Sequence, residues 1–71
     1  MKFRQLQIEI IIEQKPDPSW EIWFAGLTAS QLSEDSLKLT GVVPDHAALF
    51  GYLEIIRNLN LNLISLKVEE K

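Results

Sequence analysis

Residues 45–59 read DHAALFGYLEIIRNL, and their spacing decides the fold. Leu49, Tyr52, Leu53, Ile56 and Leu59 fall at i, i+3, i+4, i+7 and i+10, which is one stripe on a helix of 3.6 residues per turn. Ala48 and Ile55 widen the stripe on one side. Asp45, directly after Pro44, can accept from the free N–H groups of a first helical turn, and Asn58 and Asn60 are suitable stop residues. A helix over 45–59 with a single apolar flank must lay that flank on something flat.

The flat partner is legible upstream. Residues 5–13 read QLQIEIIIE. Leu6, Ile8, Ile10 and Ile12 alternate with Gln5, Gln7, Glu9 and Glu13, a period of two that predicts a strand buried on one face. Residues 37–43 resume the alternation, and the weaker pattern of 27–32 predicts a short edge strand joined to it by a turn at Ser33–Ser36. Downstream, 61–68 predict a last strand with Ile64, Leu66 and Val68 on one face and Leu61, Leu63, Ser65 and Lys67 on the other. Glu69-Glu70-Lys71 reads as a solvated tail. Pro16 and Pro18 interrupt the chain after the first strand. Asp17 stands where a cap belongs, Trp20, Trp23, Phe24 and Leu27 follow at helical spacing, and Gly26 can supply a left-handed stop. These residues predict a short helix over 18–25 whose two tryptophans anchor the core.

The order β-α-β-β-α-β predicts an α+β domain over residues 1–71. The expected form is a ferredoxin-like antiparallel sheet with a short first helix and both helices on one face. Were 18–25 only a turn, the alternative is a ββαβ-type meander followed by helix and strand. Seventy-one residues suffice for one domain with a thin core, since a chain of this size buries only about 60% of its unfolded surface. Such domains often add disulfides, a metal or a partner subunit. Without cysteine and with one histidine, self-association or another protein is the support left open, and no metal or cofactor site is expected.

The net charge of −3, with seven basic residues scattered among ten acids, argues against nucleic acid, whose binding rests on Lys and Arg neutralising phosphates. No apolar run approaches the ~18 residues a membrane span needs. Gln7, Glu9 and Glu13 break what would be the apolar core of a signal peptide, so cytoplasmic residence is the default expectation.

Candidate chemistry is sparse. Asp45-His46 is the one place where an acid adjoins a histidine, but neighbours on a helix diverge by about 100°, so capping and solvent exposure account for both. Glu9, Glu13 and Glu54 could pair as carboxylates only if the fold brought them together. No GxGxxG, GxxxxGK[ST] or HExxH occurs, and no catalytic residue is expected.

The uncovered face of the sheet should carry Phe3, Gln5, Gln7, Glu9 and Ile11 from the first strand, joined by Leu61 and Leu63 from the last. Phe50 lies off the helical stripe beside His46 and Arg57, where an exposed phenylalanine can anchor a partner. Ala47 and Gly51 form a small-residue patch one turn apart. Phe3, Ile11, Leu61, Leu63, His46, Phe50 and Arg57 are thus the expected interaction residues of a self-associating or protein-binding module. A second reading is a sensing domain that holds an apolar or aromatic molecule between Trp20, Trp23 and Tyr52. A small dimeric enzyme ranks last, for want of convergent polar groups.

GVVPDHAALFGYLEIIRNLNLNLISL, residues 41–66, resembles a pattern in small bacterial proteins of uncharacterised function: G-x-[LV]-x-D-Q-A-A-L-H-G-L-L-x-x-I-R-x-L-G-L-x-L-L-S-V. Asp45, Ala47, Ala48, Leu49, Gly51, Ile56, Arg57 and Ser65 are among the matches, and Asp17…Trp20…Trp23-Phe24-x-Gly26-Leu27 extends the likeness upstream. His46 stands where the pattern usually has Gln, and Phe50 where it usually has His, so a role of that histidine does not carry over. The resemblance implies a stand-alone βαββαβ-like domain and brings no activity with it.

Overall fold

Leu6, Ile8, Ile10 and Ile12 are all buried, because the strand that carries them lies in the middle of a sheet. The computed structural model describes residues 5–13 and 20–70. Its elements run β1 (Leu6–Glu13), α1 (Trp20–Trp23), β2 (Thr28–Ser33), β3 (Ser36–Val43), α2 (His46–Asn58) and β4 (Asn62–Glu70). The four strands form one sheet in the order β2-β3-β1-β4, with every neighbouring pair antiparallel. The architecture is α+β with an open antiparallel sheet. Its one substantial helix is α2, since α1 is a single turn.

Facing residues of paired strands share a side of the sheet. Ile8 faces Gly41, Ile10 faces Leu39 and Ile12 faces Leu37, so these even-numbered positions of β1 and the odd-numbered ones of β3 make one apolar floor. Leu49 and Ile56 of α2 complete the core above it. Phe24, just after α1, is buried on the same side and stacks on Tyr52, ring centroids 6.5 Å apart. Gly41 makes room for this connection. A Cβ there would stand 2.7 Å from Leu27 Cδ2 and 3.1 Å from the Gly26 carbonyl oxygen, so only glycine lets that backbone settle onto β3.

Both ends of α2 are capped as its residues predict. Asp45 is extended and its Oδ1 accepts from the Ala48 N–H at 2.9 Å, the first-turn bond of an N-cap. At the other end Asn60 has φ +57. Its N–H donates to the Arg57 carbonyl and that of Leu61 to the Ile56 carbonyl, both at 3.0 Å. These two bonds constitute a Schellman motif.

Several sequence expectations are corrected. The first helix was expected over 18–25; within the described residues it covers only Trp20–Trp23. Trp23 is 48% exposed and does not anchor the core; Phe24 does so instead. The Trp20 side chain, Phe3, and the expected helix start at Pro18 lie outside the described residues. The second strand begins at Thr28 and is exposed throughout. The last strand continues through Glu69 and Glu70, because both pair with β1, so these acids are not a free tail.

Two further corrections concern faces. Leu61 was expected on the open face. The Schellman turn delivers it back toward the helix, where it packs half-buried against the core. Leu63 was expected there too, but the register slips between Ile11 and Ile12: Ser65 faces Ile11 while Leu63 faces Ile12. One extra residue, Ile64, moves Leu63 to the helix side.

Candidate functional site

Two surfaces compete for a role, the open face of the sheet and the flank where β4 meets α2. The open face is built from the odd-numbered residues of β1 with their partners, and most of it is polar: Gln7, Glu9, Thr40, Ser65 and Lys67. Ile11, expected as an interaction residue, sits here half-buried, and Val42, opposite Gln7, is apolar as well. Glu9 lies at the centre. Its carboxylate stands 3.8 Å from Lys38 Nζ and 3.7 Å from Lys67 Nζ. An open depression of about 260 Å³ lies beside it, lined by Gln7, Glu9, Thr40, Lys67 and Glu69. Its charges already neutralise one another, so the face is neither a strong anion site nor a strong cation site.

The carboxylates named from the sequence do not converge. Glu9 faces away from the helix layer, whereas Glu54 is on α2 and pairs with Arg57 at 3.4 Å. Asp45 spends its carboxylate on the helix cap. His46 is exposed, and its ring centroid lies 6.4 Å from that of Phe50. Among the described residues no group of three His, Asp or Glu is placed to hold a metal ion.

The apolar flank is the other surface. Tyr52 points to the α1–β2 connection, where its hydroxyl donates to the Ala25 carbonyl at 2.6 Å. That connection rests on β3 at Gly41. Phe50 is about 160° around the helix from Tyr52, so its flank, shared with His46 and Arg57, is turned away from the α1–β2 connection. Phe50 is 61% exposed. The helix-side residues of β4 are uncovered as well: Leu63 47%, Leu66 38% and Val68 39%. Their neighbours across the ladder, Ile12, Ile10 and Ile8, are at 0%. The helix layer therefore closes over the floor shared by β1 and β3 and leaves the β4 side chains open. This strip was only half visible in the sequence. Phe50 could be singled out by its place on the helical wheel, but Leu66 and Val68 read as ordinary core residues.

Two of the expected ligand residues are described. Trp23 is exposed at the surface, while Tyr52 is half-buried with its hydroxyl and ring both engaged. No helix among the described residues is long and apolar enough to cross a membrane.

No curated protein matches the chain, and neither does any solved structure. A family model does, over residues 7–67. That span reaches from β1 into β4 with every element between them, and by it the chain belongs to the family described as Domain of unknown function (DUF8691).

Proposed function

We propose that this domain is a non-enzymatic protein-interaction module that associates with itself. The observation that carries the reading is the contrast along one ladder: Ile8 and Ile10 are fully buried, while Val68 and Leu66 opposite them are more than a third exposed. Apolar side chains on a nine-residue edge strand lose free energy when covered, and its outer N–H and C=O groups invite another strand. Phe50 extends the same surface onto α2. The architecture is read as ferredoxin-like: the order βαββαβ, with β1 between β3 and β4, supports that topology in spite of a first helix of one turn. A cytoplasmic setting fits a small domain without cysteine.

Sedimentation velocity and light scattering across a dilution series test the proposal. A particle of about twice the 8.2 kDa chain mass that dissociates on dilution is the expected result. A monomer at every concentration refutes self-association.

A further inference from the structure

The partner for β4 can be specified further, granted that the module self-associates. The bulge at Ile64 leaves Ser65–Glu70 as the regular part of the strand, and a bulge disfavours pairing across it. Two copies related by a two-fold axis perpendicular to the sheet pair antiparallel, and facing residues must then lie on the same side. Few registers satisfy this. An axis through Leu66 runs the pairing across the bulge. An axis through Lys67 sets that lysine against itself, and one through Glu69 does the same with two carboxylates, and like charges directly opposite destabilise a strand pair.

An axis through Val68 has neither fault. Val68 meets Val68, and Lys67 meets Glu69 of the second copy, twice by symmetry. Lys67 already faces Glu9 of β1 in the ladder, and Glu9 also reaches Lys38. Glu69 of the second copy thus extends a row of alternating charge, Lys38–Glu9–Lys67, by one more strand. We infer that a second copy of this chain docks edge to edge on β4, antiparallel, with Val68 on the two-fold axis and Lys67 facing Glu69 across it. Both α2 helices then stand on one face of a continuous eight-stranded sheet.

The test is a charge exchange on the full chain, read by sedimentation over a dilution series, with far-UV circular dichroism to show that each variant is folded. Lys67→Glu and Glu69→Lys each put two like-charged pairs across the axis and weaken association by about tenfold or more, while the double exchange restores it to within a few-fold of the parent. A second probe uses the absence of cysteine. Val68→Cys brings two thiols together on the axis, with Cα atoms about 4.5–5.5 Å apart. It forms a covalent dimer on mild oxidation, and Ser30→Cys on β2 does not. If the parent dimerises but neither reversal weakens it, or the exchange fails to restore it, the register is overturned and self-association stands. A parent that stays monomeric overturns both and leaves this edge to a strand of a different protein.

Discussion

Gly26→Ala with Tyr52→Phe tests how α2 is tied to the rest of the domain. Gly26 has φ +94, and a Cβ there would stand 2.9 Å from the Tyr52 hydroxyl. Left-handed backbone costs a non-glycine residue about 1–2 kcal/mol. The hydroxyl is the far end of its side chain, so the ring can tilt away, at the cost of its 2.6 Å bond to the Ala25 carbonyl. That bond contributes about 0.5–1.5 kcal/mol. Gly26→Ala alone should then lose about 2–3 kcal/mol, the middle of the range the two effects sum to. In a Tyr52→Phe background the bond is already gone, and the same change should lose only the backbone part, about 1–2 kcal/mol. The two substitutions therefore couple by about 1 kcal/mol, beyond the few tenths expected of independent sites. A domain of this length has roughly 4–10 kcal/mol to lose, so the effects are measurable. Urea unfolding followed by tryptophan fluorescence is the assay, with an expected midpoint shift of about 2 M or more for Gly26→Ala if m is near 1 kcal/mol/M. Additive effects, or an alanine at 26 without cost, would refute the reasoning.

Other expectations follow from single contacts. Asp45→Ala removes the acceptor of the Ala48 N–H and should destabilise by about 1 kcal/mol, again by urea unfolding. Gly51→Ala should stabilise by about 0.5–1 kcal/mol, since a Cβ there meets nothing within 4 Å and alanine is the better helix former; a loss of dimerisation in this variant would instead place α2's outer face in the interface. Ile10→Ala empties a fully buried site and should lose about 2–5 kcal/mol, enough to abolish the sharp thermal transition in calorimetry if the parent is marginal. Phe50→Ser should leave the unfolding midpoint nearly unchanged, because the ring is mostly exposed, while weakening self-association; unchanged association would remove Phe50 from the interface.

Much of the fold could be read locally. The alternation of Leu6, Ile8, Ile10 and Ile12, broken only by Ile11, fixes which side of β1 is buried, and the structure keeps all four in the core. Asp45 and Asn60 mark the ends of α2 because capping depends on residues within one turn. The candidate site was less legible. Phe50 was recognisable by exclusion from the stripe, yet its neighbours on β4 were not, since Leu66 and Val68 alternate as any buried strand would. Trp23 misled for a related reason: it and Phe24 are adjacent, and which of two aromatics turns inward depends on where a four-residue helix ends.

Composition and periodicity by themselves determined an α+β chain with a central apolar strand and one amphipathic, capped helix, because these follow from neighbours a few residues apart. Only the tertiary structure decided that Ile64 is an extra residue that moves Leu63 off the open face, that the Schellman turn carries Leu61 off it as well, and that the helix layer covers the β1–β3 floor but not β4. A bulge is a mismatch between two strands distant in sequence, and the reach of a helix over a sheet is set by where both its ends are tied. Neither quantity exists until the strands have paired.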